Sequence, residues 1–409
     1  MLSIREALDA IVRRAQPLAP ERVSLPEARG RVLAAPLRAR EDLPPFDHSA
    51  MDGWAVRAAD VASASAASPS KLRIVGEARA GGETGPRVGP GEAVRVFTGA
   101  PVPEGADCVV MQEDTTREGE HVVVGLAGAP SKHVRRRAEI AAAGAVIRAS
   151  GTSIGAGEIG LAASQSYGEL VVHRRPRVAI VGSGDELRDL GDPPRPGSIL
   201  DSNGPALVAA VEEAGAQASL LLRGIDDVGE LAERMRDALG WCDVLVTTGG
   251  VSVGDYDLVH RALAELDVEE VFWKARIKPG KPIRFGLRGQ RLVFGLPGNP
   301  VSTLVTFEVF VRPALRVLLG DPRPHRATLD ARLSRAMRAA DTRTELARAR
   351  IDEIDGELVA TPLREKGSGD LTSMASADAL VILPEGAGTL ERARAIDMRS
   401  TRGRVEAPF

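Results

Sequence analysis

The chain has 409 residues, which points to about two to four domains rather than one core. Aromatic residues make up 3% and the net charge is −3, so neither a base-stacking platform nor a strongly basic nucleic-acid surface is expected. The two cysteines, Cys108 and Cys242, sit beside apolar runs with no metal or redox spacing, and read as buried thiols.

Residues 1–40 read mostly as helix, with apolar spacing at Ile4, Leu8, Ile11 and Val12. The start is charged throughout, unlike a signal peptide, and no apolar run approaches the roughly 20 residues of a membrane span. A soluble, cytoplasmic protein is expected. DLPPFDHSAMDGWAV then stops any helix at its prolines. Short β-runs between Gly/Pro turns follow, in KLRIVGEA, EAVRVFTGA, CVVMQED and HVVVGL. Residues 44–139 are read as a β-rich insertion that splits an N-terminal domain into 1–43 and 140–172, the second part carrying a helix in GEIGLAASQS.

From residue 173 strands and helices alternate, in VAIVG, ALVAAVEEAG, ASLLL, VGELAERMRDAL, DVLVTTGG, DLVHRALAEL and RLVFGLPGNP. This predicts an α/β multidomain chain whose central domain, 173–321, is a doubly wound parallel sheet covered on both faces. Residues 322–409 return to short β-runs and predict a small C-terminal β-domain, barrel or sheet.

In such a sheet ligands bind beyond the carboxyl ends of the strands. Four of those ends carry chemistry: GSGDEL, RGIDD, TTGGVSVGDYD and LPGNP. In TTGGVSVGDYD the glycines Gly249, Gly250 and Gly254, with Ser252, offer backbone N–H groups to an anion. The plainer reading of that stretch is a strand-to-helix turn with an aspartate cap. Its second half holds two carboxylates, Asp255 and Asp257, which a phosphate would repel unless a cation stood between.

Composition supplies a further signal. There are 6 lysines against 47 arginines, and two asparagines. Arginine is the default cation, so a retained lysine invites a specific reason. Lys274, Lys278 and Lys281 lie within eight residues, in FWKARIKPGKPIRFG. A compact ammonium there suits an oxyanion, against the alternative of a solvated turn. The asparagines, Asn203 and Asn299, lie in DSNGP and PGNP. In the insertion, Asp52 before Gly53 reads as a tight turn or a functional carboxylate, and Thr98 before Gly99 as an ST-turn or a ligand. His48 has no second histidine at metal spacing. No Ser-His-Asp or HExxH arrangement occurs, and GSGDEL is an incomplete dinucleotide fingerprint.

The ordered set PPFDHSAMDGWAV, FTGAPVPEGAD, GSGDEL, DSNGP, TTGGVSVGDYD, WKARIKPGKP and GLPGNPVS resembles the molybdopterin molybdenumtransferase family, the MoeA proteins and the gephyrin E domain, over nearly the whole chain. The resemblance implies an elongated homodimer and a central domain like the molybdopterin adenylyltransferases. It implies a cleft completed by the insertion of the second subunit. The implied reaction uses adenylylated molybdopterin and molybdate, assisted by Mg²⁺, and releases AMP. Molybdopterin adenylyltransferase would act upstream, and molybdoenzymes or their chaperones downstream.

By motif the implied catalytic positions are Asp52, Thr98, Glu186, Asp226, Asp257, Lys274 and Lys278. Asp226 and Asp257 would hold Mg²⁺. Cofactor-binding positions would be Ser202, Asn203, Gly249, Gly250, Ser252, Gly254, Lys281, Pro297, Asn299, Arg348 and Ser368. One departure stands out: where the family has R-x-G-E-D-I-x-x-G, this chain has Ala138 for the glycine and Ile140 for the aspartate. Glu139 replacing that carboxylate, a dispensable carboxylate and weakened activity are the open explanations. The rival readings are adenylyltransferase activity on ATP and molybdopterin, and a non-catalytic binding or scaffold homologue.

Overall fold

The structure, a computed structural model, describes residues 1–184, 186–221, 227–249, 258–364, 366–400, 403–404 and 408–409. The chain divides into two compact units, one of residues 1–35, 150–159 and 169–409, the other of residues 36–149 and 160–168.

The larger unit is built on a six-stranded sheet in the order Gln217–Leu221, Arg177–Gly182, Val244–Thr248, Arg291–Leu296, Arg284–Arg288, Glu269–Trp273. The first four strands are parallel; Arg284–Arg288 runs against them, and Glu269–Trp273, antiparallel to it, runs with them. Alternating side chains divide between two cores, as the twofold period of a strand requires. Val178 and Ile180, Val244 and Val246, and Leu292 and Phe294 face one core; Ala179, Val181, Leu245 and Val293 face the other. The first core is closed by the helices Ile4–Val12, Asn203–Glu213 and the helical run from Pro300 to Leu318. The second is closed by Val228–Trp241 and Leu258–Ala264. This is the doubly wound arrangement expected. Two further strands extend it through antiparallel pairings, and Gly289-Gln290, with Gly289 at φ +60°, joins Arg284–Arg288 to Arg291–Leu296 as a hairpin.

The N-terminal reading needs correction. Only Ile4–Val12 and Leu25–Ala28 are helical among residues 1–40; Pro20–Ser24 is a strand paired with Glu169–His173. Pro17 and Pro20 end the first helical pattern, and the pairing partner lies far away in sequence. Ser3 and Glu6 form a reciprocal capping box that starts the first helix.

In the C-terminal part, Thr344–Ile354, Glu357–Pro362, Thr328–Arg338, Thr389–Asp397 and Ala379–Leu383 pair in that order. Ala379–Leu383 also pairs with Thr344–Ile354, so the sheet closes into a small barrel. Ile277–Lys278 adds to its edge, placing Lys278 opposite Glu345.

The smaller unit holds a six-stranded sheet in the order Cys108–Met111, Gly53–Val56, Glu92–Val96, Ser70–Ala78, His121–Val124, Thr115–Glu118. Both cysteines are buried and free. Burial pushes their thiols up, Cys242 to about 11, so neither is a thiolate at neutral pH. Among the described residues no helix is long and apolar enough to cross a membrane.

Candidate functional site

A cavity of about 300 Å³ opens beyond the carboxyl ends of the parallel strands. Its floor is made of strand exits. Ser183 donates its N–H to Thr248 O at 3.1 Å, and Gly249 donates to Leu296 O at 3.2 Å, so three strands stay joined as they leave the sheet. Gly249 has φ +81°, and a Cβ there would lie 2.6 Å from Ser183 O. Only glycine fits that turn and that approach.

The wall comes from DSNGP and LPGNP. Asp201, 2% exposed, accepts the N–H groups of Asn203 and Gly204 on Oδ1 at 2.9 and 3.0 Å. Asn203 Nδ2 donates to Gly298 O at 2.7 Å, tying the two motifs together. Pro297 O accepts the Thr303 hydroxyl at 2.5 Å, and Asn299 O accepts its N–H at 2.9 Å. Two helix N-termini, at Asn203 and Pro300, therefore border one cavity, with Ser202 and Asn299 at their caps. Asp201 takes the first N–H groups of the Asn203 helix, so what the two helix ends offer an anion is chiefly their dipoles. Glu186 also lines the cavity, its carboxylate folded over Gly184. Ser368 O accepts the Val301 N–H at 3.0 Å, which brings the C-terminal domain to the first turn of the Pro300 helix.

The lysines are not among the residues lining this cavity. Lys274 stands at φ +78°, with Nζ 3.7 Å from the centre of the Trp273 ring. Lys278 Nζ lies 3.1 Å from Glu345 Oε2. Lys281 is exposed, and its carbonyl accepts the N–H groups of Ala275 and Ile283. Arg348 is 1% exposed; it pairs with Leu380 and shares the strand face of Leu346, which belongs to the core of the central sheet rather than to the barrel interior. Gly250, Ser252, Gly254, Asp255, Asp257 and Asp226 lie outside the described residues. Among the described residues no group of three or more His, Cys, Asp or Glu is placed to hold a metal.

In the smaller unit Asp52 Oδ1 accepts the Thr98 N–H at 2.8 Å and the Thr98 hydroxyl at 2.9 Å. Those bonds hold the carboxyl below the usual range. Gly53 is not a turn glycine: it begins a strand, and a Cβ there would meet Val110 O at 2.0 Å. His48 lies with Nδ1 3.2 Å from Ser49 O. Ile140 is 71% exposed. Glu139 accepts the Arg136 N–H at 2.7 Å and Arg135 Nη1 at 3.1 Å, so both its oxygens serve the local turn.

Sequence reasoning did not single out Asp201, Ser183 or Glu345. Asp201 stood inside a quoted motif, and its burial is the missing signal. Glu345 meets Lys278 only through a long-range strand pairing.

Family models match three successive stretches: MoeA N-terminal region (domain I and II) over residues 2–166, a probable molybdopterin binding domain over 179–317, and MoeA C-terminal region (domain IV) over 330–398. The molybdopterin molybdenumtransferase of Bacillus subtilis is 34% identical over 382 residues, 92% of this chain and 89% of that one. The chain belongs to the molybdopterin molybdenumtransferase family. It is similar to molybdopterin molybdenumtransferase 2 of Mycobacterium tuberculosis, at 35% identity over 94% of this chain and 96% of that one. A crystal structure of the molybdopterin biosynthesis moeA protein from Pyrococcus horikoshii superposes with a TM-score of 0.85 at 29% identity, covering 97% of this chain and all of that one. The molybdopterin molybdenumtransferases are transferases of molybdenum cofactor biosynthesis, and the cavity described above lies within the stretch matched as a probable molybdopterin binding domain.

Proposed function

We propose that this chain transfers molybdenum from molybdate to the dithiolene sulfurs of adenylylated molybdopterin, with release of AMP. The observation that carries the reading is the cavity in which Gly249, the Asn203–Gly298 bond and two helix N-termini meet. Gly249 makes the turn out of the sheet, and Gly250, Ser252 and Gly254 after it cradle phosphate through their N–H groups. Ser202, Asn203, Pro297 and Asn299 shape the wall that holds the molybdopterin part. Ser368 supports that wall through Val301, Glu186 borders it, and Lys281 and Arg348 belong to the same binding set. Lys274 and Lys278 meet molybdate and phosphate with ammonium groups. Asp52, fixed by Thr98, orients the reacting end.

Mg²⁺ belongs to this proposal through Asp226 and Asp257, and bound there it would offset phosphate charge and help AMP to leave. The same reading makes the chain a homodimer, supplied by an adenylyltransferase and delivering to molybdoenzymes or their chaperones. A second reading, a carrier that binds the cofactor without turnover, is favoured by one observation: the exposed Ile140 cannot offer an oxyanion or a metal the carboxylate of the family pattern. AMP release from adenylylated molybdopterin, measured with and without molybdate, separates the two. Molybdate-dependent release supports transfer; binding without release supports the carrier.

A further inference from the structure

We infer that Trp273 is a positioning residue for the oxyanion-binding ammonium of Lys274; this rests on the reading of Lys274 as a molybdate or phosphate ligand. Lys274 is one of 6 lysines in a chain with 47 arginines. Its backbone is left-handed at φ +78°, a region that costs a side chain energy unless the fold imposes it. The fold does impose it: Trp273 ends a sheet strand opposite Arg284, and the Lys274 N–H donates to Ile283 O at 2.8 Å. The turn directs the ammonium onto the indole, 3.7 Å from the ring centre. A lysine otherwise loses much rotamer freedom when it grips an anion. Held over the ring face, it has lost that freedom before the anion arrives, and its remaining N–H groups stay available.

The indole is itself fixed. Arg284 lies 5.3 Å from the same ring, and is tied to Glu270 at 3.2 Å and to His260. The choice of tryptophan also needs a reason. Trp273 Nε1 is buried without a hydrogen-bond partner among the described residues. A phenylalanine or leucine would carry no such cost. What tryptophan adds is the ring face that attracts a cation most strongly.

The test is the molybdate dependence of AMP release by the purified full-length chain at saturating adenylylated molybdopterin. Lys274→Ala, Trp273→Leu and Trp273→Phe are compared, each with its thermal midpoint. Trp273→Leu is expected to raise KM for molybdate about fivefold with kcat within about twofold, and Trp273→Phe to recover most of that loss. The midpoint of Trp273→Phe should equal or exceed that of the unmodified chain, since the unpaired N–H is gone. If Lys274→Ala is inactive while Trp273→Leu keeps KM unchanged or lowers it, the positioning role is wrong and the site reading stands. If Lys274→Ala turns over normally, the site reading falls first. A Trp273→Phe protein as impaired as Trp273→Leu, with a matching loss of midpoint, reduces Trp273 to a packing residue and overturns the inference.

Discussion

Ala138 carries a backbone that favours glycine. Its φ is +60°, and its carbonyl-side neighbours Glu139 and Ile140 continue a tight turn in which the Ala138 N–H donates to Pro44 O at 2.9 Å. The left-handed region costs an alanine about 1 kcal/mol relative to glycine. Ala138→Gly should therefore raise the unfolding midpoint of the smaller unit by a few degrees in differential scanning calorimetry; a lowered midpoint would mean that unfolded-state entropy outweighs the strain. Asp243 offers a pH-dependent case. Burial alone would raise its carboxyl, but Arg174 at 2.6 and 2.7 Å and the Arg177 N–H at 2.8 Å win, and it sits below the usual range. A depressed carboxyl stabilises the fold above its unfolded pKa, near 3.9, and that stability is lost as pH falls through the folded value. Asp243→Asn should cost about 1–2 kcal/mol at pH 7 and flatten the acid limb of the stability curve in denaturant titrations. An acid limb identical to that of the unmodified chain would remove Asp243 as its source.

Between elements, a buried ion cluster joins the helix behind the cavity to the C-terminal domain. Glu308, in the π-helical turn Phe307–Val311, accepts Arg326 Nε at 2.6 Å and Nη2 at 3.2 Å, and Arg312 Nε lies 3.8 Å away. Arg326 also reaches Glu213 at 2.6 Å, at the end of the Asn203–Glu213 helix. Burial first, and then Arg326, push Arg312 down to about 10. Glu308→Gln leaves these guanidiniums without their central charge and should destabilise by about 3–5 kcal/mol in equilibrium unfolding. A loss below about 1 kcal/mol would show that solvent or Glu213 alone satisfies them. None of this was legible from pattern, because its members come from segments far apart in the chain. The strand exits were legible, since glycine and hydroxyl residues follow apolar runs that a buried sheet alone does not require. Asn203 was marked by the scarcity of asparagine and by the DSNGP motif, and its bond to Gly298 O gives the reason for it. The antiparallel direction of Arg284–Arg288 was not visible, because an apolar run reads alike either way. A turn at Asp52-Gly53 stays open in sequence, because sequence cannot show the approach of Val110 to Gly53.

At the scale of the molecule, a doubly wound sheet presents glycine turns and helix N-termini at one end, and a closed barrel brings Glu345 to Lys278 and Ser368 to Val301. This arrangement suits a substrate that carries phosphate at one end and meets an oxyanion at the other. The carboxylates that would bind a cation follow two of the same strands in sequence. Ile140 is the point at which the account is most exposed, because the family pattern has an aspartate there. The most direct measurement is molybdate-dependent AMP release from adenylylated molybdopterin by the purified chain, with Lys278→Ala and Ile140→Asp beside it. Release should require molybdate, fall at least about tenfold in Lys278→Ala, and be equal or faster in Ile140→Asp. Tight binding of the adenylylated compound with no molybdate-dependent release, in the unmodified chain and in Ile140→Asp alike, would contradict it.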